Sequence, residues 1–147
     1  MSAYQNILLG VDVYGPEVKK PFHQACAYAR DNDAIFHIAT VLNTKGTGTL
    51  KRMDPKLKEL KRQAYETLET YQQQAEEAGV SNVKMILDTG SPKARITQHL
   101  APEYDIDLLV VGATQGNKVE NLLLGSVAEG VVREAKCDVL TVRENLG

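Results

Sequence analysis

No apolar run in this 147-residue chain is longer than six residues, Leu108 to Ala113. A membrane-spanning helix needs roughly 20, so no membrane partner is expected. There is no excess of basic charge either: 17 Lys and Arg stand against 19 Asp and Glu, a net charge of −2. Without an electropositive footprint, nucleic acid is not an expected partner. Cysteine is scarce, and Cys26 and Cys137 lie in apolar patterns without metal-ligand spacing, as small core residues of a reducing compartment do. The first residues do not resemble a secretory signal, and a cytoplasmic location is the expectation. Three chemistry-bearing signatures are also missing. GxGxxG would have to follow the first strand, where Gly10-Val11-Asp12 offers one glycine. Gly112 to Lys118 lacks the spacing and the terminal hydroxyl residue of GxxxxGK[ST], and no GxSxG occurs. His23, His37 and His99 have no carboxylate or cysteine at motif spacing and read as structural. No catalytic set and no metal-ligand set is visible, so the chain is not expected to be an enzyme.

What is present is an ordinary globular composition, 24% charged and 43% apolar. At this length one domain spanning 1–147 can bury roughly 70% of the surface its unfolded chain would expose. Asn6 to Val13 reads as a first strand, closed by the turn signal Tyr14-Gly15-Pro16. Val18, Phe22, Cys26 and Ala29 recur at helical spacing, with Pro21 placing the helix start near Lys20. Asp31-Asn32-Asp33 ends that helix, and Ala34 to Leu42 has the β-branched and aromatic content of a buried strand. The glycine- and lysine-bearing stretch that begins at Asn43 reads as a surface flap. Asp54-Pro55 then opens a long amphipathic helix with Leu57, Leu60, Ala64, Leu68, Tyr71, Ala75 and Ala78 inside, stopped by Gly79. Val83 to Asp88 is a third strand. Gly90-Ser91-Pro92 repeats the cap-then-proline signal for a helix running to about Glu103.

The stretch from Ile106 to Thr141 is the part the rest is arranged to present. Leu108 to Val111 suits a strand covered on both faces, and the run stops at Gly112. A loop follows to Gly125 and to Ser126, which opens a helix with Val127, Val131, Val132 and Ala135 at helical spacing. Asp138 to Arg143 makes a fifth strand. Strands alternating with helices imply crossover connections, hence a mainly parallel five-stranded sheet with helices on both faces. In such sheets ligands bind beyond the carboxyl ends of the strands where the winding reverses. Asp12, the Val41 to Asn43 edge and Gly112 all fall at such ends. The unpaired N–H groups and positive dipole end of the helix opening at Ser126 favour an anion there.

NILLGVD at the N-terminus, GSP opening the third helix, DLLVVGA, and LLLGSVAEGVVREAKCDVLTV at the end together resemble the universal stress protein family over nearly the whole chain. The resemblance implies a doubly wound sheet of strand order 3-2-1-4-5. It also implies homodimers paired through the fifth strand, here 138–143, and members that bind ATP with Mg²⁺ alongside members that do not. The nucleotide-binding members carry Gly, two residues, Gly, nine residues, then Gly and Ser or Thr. Gly112, Gly125 and Ser126 match. The middle glycine is replaced by Gln115, with Gly116 one residue later.

That middle glycine lets backbone approach a phosphate or take positive φ. Three outcomes are open: the turn shifts so that Gly116 serves, the Gln115 amide donates to a phosphate oxygen, or ATP no longer fits. The resemblance implies phosphates on the N–H groups of Gly112 to Gln115, Thr114 among them, and of Gly125 to Val127. It places adenine near Val41, and Asp12 by the ribose or metal. Gly10, Val11 and Val111 complete the candidate contacts. Each residue also has a plainer role. Ser126 and Glu129 have capping-box spacing, Asp12 can bond its own turn, Val41 can be strand core, and Lys118 can be solvated. Two functions follow: an ATP-binding homodimeric stress-response protein with at most very slow hydrolysis, or a nucleotide-free dimer acting as a protein interaction module. Strand 138–143 suits both, because its apolar edge is safe once paired.

Overall fold

The computed structural model describes residues 3–12, 18–42, 55–114 and 126–144. Five strands form one sheet: β1 (Asn6–Gly10), β2 (Ile35–Leu42), β3 (Asn82–Thr89), β4 (Leu108–Thr114) and β5 (Asp138–Glu144). The order is β3-β2-β1-β4-β5 and every pairing is parallel. The winding therefore reverses between β1 and β4, as expected for a doubly wound sheet. Helices α1 (Lys19–Asn32), α2 (Pro55–Glu77) and α4 (Ser126–Glu134) join α3, a continuous helix of Pro92–Ala94, π-helical Arg95–Leu100 and Ala101–Glu103.

Alternation along the strands sorts the core into two layers. Ile7, Leu9, Phe36, Ile38, Leu108 and Val110 point to the side of α1 and α2, where Phe22, Leu68 and Tyr71 meet them. Leu8, Ala39, Ile86, Leu109 and Val111 point to the other side, against Ile96 and Leu100 of α3 and Val131 of α4. Phe36, Ile7, Leu8, Leu9, Ile38 and Leu109 are fully buried, which explains why these strands read as unbroken apolar runs.

Three helix-to-strand turns use the same backbone device. After α1, Asp33 takes φ 52°, its N–H donates to the Arg30 carbonyl, and Ala34 N–H reaches back to Ala29. After α2, Gly79 at φ 100° and Val80 bond to Glu76 and Ala75. After α3, Asp105 at φ 53° and Ile106 bond to Pro102 and Ala101. Each is a Schellman closure in which a left-handed residue turns the chain and a buried apolar residue follows it into the next strand. Gly79 was legible as a stop because glycine takes that conformation freely. The two aspartates do the same work, since a short polar side chain tolerates it.

The boundaries move where pairing or packing overrides local pattern. β1 gives up its last expected residues: Val11 adds one rung to the Ala39 carbonyl at 2.8 Å, and Val13 and the Tyr14 to Pro16 turn lie outside the described residues. Pro21 sits in the first turn of α1, where its missing N–H would have had no helical partner. The main correction is in β4. It does not stop at Gly112 but runs to Thr114, because Gly112, Ala113 and Thr114 keep register with Val142, Arg143 and Glu144 of β5. Ser91 occupies the N-cap of α3 but makes no side-chain cap bond. The π-helical widening directly precedes Pro102, whose ring would clash with the Gln98 carbonyl in a regular α-helix. Val132, expected on the inner face of α4, is 45% exposed while Val131 is fully buried. The stretch 43–54, including the expected flap and Asp54, lies outside the described residues.

Candidate functional site

The rim formed by the carboxyl ends of β1, β2 and β4 brings together most of the residues singled out from the sequence. Gly10 ends β1, Val11 is buried behind it, and Asp12 is the first exposed residue beyond. One strand to one side, Val41 is half-buried near the end of β2 and packs in the α3 and α4 layer. On the other side, Val111 is buried in that same layer and is followed by Gly112, Ala113 and Thr114 at the end of β4. The right-handed return places the start of α4 above this end. Its helical backbone begins at Ser126, so the first-turn N–H groups of Ser126, Val127 and Ala128 have no partner within the helix. With strands about 4.8 Å apart, β2 and β4 are separated by roughly 10 Å across β1. That span matches a ligand with a flat base at one end and a charged group at the other.

Gln115, Gly116, Gly125 and Lys118 lie outside the described residues. The surroundings of Gly112 add a reason for the glycine that the sequence did not reveal. A Cβ at Gly112 would stand 3.1 Å from Cγ of Pro21 on α1, tighter than ordinary van der Waals contact. Gly10 is different: its added Cβ would meet only Ile96 Cδ1 at 3.4 Å. The capping-box partner of Ser126, Glu129, forms an i,i+4 pair with Arg133 at 2.9 Å.

Sequence reading missed a polar group beside Val41. In the β2–β3 register Val41 lies opposite Asp88. One oxygen of Asp88 accepts the Thr89 N–H at 2.8 Å and the other accepts Arg95 Nε at 2.7 Å. Gly90, at φ 129°, donates to the Leu42 carbonyl, and its missing side chain leaves room for the Arg95 stem, with Cγ 3.2 Å from where a Cβ would be. Asp88 and Arg95 flank the Gly90-Ser91-Pro92 turn that was read only as a helix start. Gly130 was also passed over: the stem of Lys93 crosses it, tying α3 to α4, and Lys93 Nζ pairs with Glu134 at 3.6 Å.

The opposite end of the sheet is polar for structural reasons. Asp107 accepts the Gln5 and Asn6 N–H groups at 2.9 and 3.1 Å and clamps the start of β1 to β4. His37 is 2% exposed, its Nε2 lies 3.2 Å from Asn6 Oδ1, and its Nδ1 has no partner. Burial, aided by the nearby Lys84 charge, lowers its pKa to about 4. Burial raises the Cys26 thiol to about 11, as befits an unreactive core residue. Burial likewise raises Cys137. His23 and His99 are exposed on helices α1 and α3. Among the described residues no group of three or more His, Cys, Asp or Glu side chains could hold a metal ion by itself, and no helix is long and apolar enough to cross a membrane.

Residues 3–143 match the sequence model of the Universal stress protein family. A protein of Staphylococcus haemolyticus (strain JCSC1435) bearing the universal stress protein name is 40% identical over 144 residues, 97% of this chain and 87% of its own. Among solved structures, the universal stress protein UspA from Lactobacillus plantarum superposes with a TM-score of 0.80 at 28% identity, covering 97% of this chain and all (100%) of that one. A universal stress protein solved in complex with cAMP gives 0.72, also at 28% identity, over 97% of this chain and 98% of that one. With the family model matched over residues 3–143 and a relative 40% identical over 97% of the chain, this chain belongs to the universal stress protein family.

Proposed function

We propose that this chain is a nucleotide-binding universal stress protein of the cytoplasm, a homodimer that holds ATP with Mg²⁺ and reports its occupancy. The observation that supports this best is the single rim on which Asp12, Val41, Gly112 to Thr114 and the first turn of α4 converge. A base beside Val41 and phosphates over the end of β4 fit the roughly 10 Å between those strands. The relative solved with cAMP, at 28% identity, adds an adenine nucleotide in a chain of this fold. In this reading the phosphates accept from the N–H groups of Gly112 to Gln115 and Gly125 to Val127, where the helix dipole favours them.

Mg²⁺ keeps several waters and takes one or two carboxylates besides phosphate oxygens. The exposed carboxylate of Asp12, at the end of β1, fits that requirement without further protein ligands. The ion would screen the phosphate charge. In this reading hydrolysis is slow at most, since N–H groups that hold the phosphates alike before and during reaction supply binding but little preference for the transition state. Dimerisation would pair β5, which is one of the two edge strands and has half-buried Val139, Leu140, Thr141 and Val142, with its copy.

One observation favours the second reading, a nucleotide-free dimer acting as an interaction module: contact with Pro21 accounts for Gly112 without any ligand. Calorimetric titration of ATP into protein stripped of carried nucleotide by refolding separates the two. The proposal expects saturable binding, weakened more than tenfold, about 1.4 kcal/mol, by Gly125→Val with the fold intact. No heat of binding at millimolar ATP leaves the interaction module.

A further inference from the structure

Beside Val41 the sheet presents a cation whose orientation is fixed before any ligand arrives. Arg95 leaves α3 on the side of the sheet that holds Val41, and its Nε donates to Asp88 Oδ2 at 2.7 Å. Asp88 is itself held, because its other oxygen accepts the Thr89 N–H at 2.8 Å. The stem of Arg95 lies over Gly90, where a side chain would crowd it. Nε is committed to Asp88, and among the described residues neither Nη group makes a hydrogen bond. The arginine side chain is 35% exposed and the aspartate 20%, so the guanidinium borders solvent at the rim while its anchor is largely covered. Asp88 is the register partner of Val41, so the fork stands next to the position assigned to the base, and its anchor on β3 is three strands from β4.

We propose that Arg95, oriented by Asp88, is a recognition residue for the nucleobase: its Nη groups donate to acceptor atoms on the edge of the base lying at Val41. A planar fork with fixed donors suits the ring nitrogens and exocyclic oxygens of a base. Its anchor on β3 lies three strands from β4, about 14 Å at the usual strand spacing, which sets the fork apart from the phosphate-binding N–H groups. This inference rests on the nucleotide reading of the rim.

Its test compares ATP, GTP and inorganic tripolyphosphate on wild-type protein and on Arg95→Met, which keeps the stem over Gly90 and removes the donors. Arg95→Met is expected to weaken ATP and GTP at least tenfold, to change the ratio between them, and to leave tripolyphosphate within twofold. Asp88→Asn, which loosens the fork without removing it, is expected to fall between. Unchanged nucleotide affinity in Arg95→Met overturns the role of Arg95 and leaves the nucleotide reading standing. Equal losses for ATP and tripolyphosphate also overturn it, because they make Arg95 a phosphate ligand. Wild-type protein that binds none of the three overturns the nucleotide reading and this inference together.

Discussion

At the scale of single residues, glycine carries different meanings at positions that look alike in the sequence. Gly10 and Gly112 both lie at strand ends on the rim, yet only Gly112 is pressed by a neighbour, the Pro21 ring at 3.1 Å from an added Cβ. Gly112→Ala should cost about 1 kcal/mol through overpacking, whereas Gly10→Ala should stay within roughly 0.5 kcal/mol; urea unfolding of the two variants measures the contrast. His37 gives a second residue-level prediction. Its folded pKa, about 4, lies below the ordinary value near 6.5, so between those values the unfolded chain binds the extra proton. Its contribution is intact above about pH 6.5 and is lost as pH falls toward 4, by an amount on the order of 3 kcal/mol. His37→Phe, which fills the same space against Tyr104 and cannot titrate, should flatten that part of the stability–pH curve. A slope identical to wild type between pH 6.5 and 4 would contradict the assignment.

At the scale of elements, period and punctuation located five strands and the helices between them. Apolar runs and helical spacing are set by burial, and burial here follows the two layers of a covered parallel sheet. What escaped the sequence was decided by partners distant along the chain. The β5 register carries β4 beyond Gly112, and Pro102 widens α3 ahead of itself. The stop at Asp31 to Asp33 was legible, but the left-handed turn at Asp33 and the closure at Asp105 depend on backbone geometry that composition does not announce. The same held at the rim. Asp12, Val41 and Gly112 could be placed from strand ends alone, but the Asp88–Arg95 pair needed the register of β2 with β3. The closures are also testable. Gly79→Ala forces a Cβ into φ 100° and should lower stability by roughly 1–2 kcal/mol without altering nucleotide binding, since Gly79 lies at the end of the sheet opposite the rim.

At the scale of the whole molecule, the arrangement is polar from end to end. The amino ends of the strands are locked by Asp107, Asn6 and the Tyr4–Asp138 hydrogen bond at 2.9 Å. Among the described residues, the carboxyl ends carry Asp12 and the Asp88–Arg95 pair. In the proposed reading a base locked at its amino ends suits nucleotide binding, because ordering the site then costs little when the ligand arrives. Dimerisation through β5 would leave the rim between β1 and β4 free. Sedimentation of the purified protein should show a dimer, and Leu140→Lys, a charge on the edge strand, should shift it to monomer; a wild-type monomer at tens of micromolar would contradict the pairing.

The central claim is where the nucleotide sits, and amide chemical-shift mapping during an ATP titration with Mg²⁺ reads that residue by residue. Saturable shifts gathered at Asp12, Val41, Gly112 to Thr114 and Ser126 to Ala128, with Asn6, His37 and Asp107 unmoved, are the predicted result. Shifts gathered at the Asn6 and Asp107 end, or none at millimolar ATP, would contradict it.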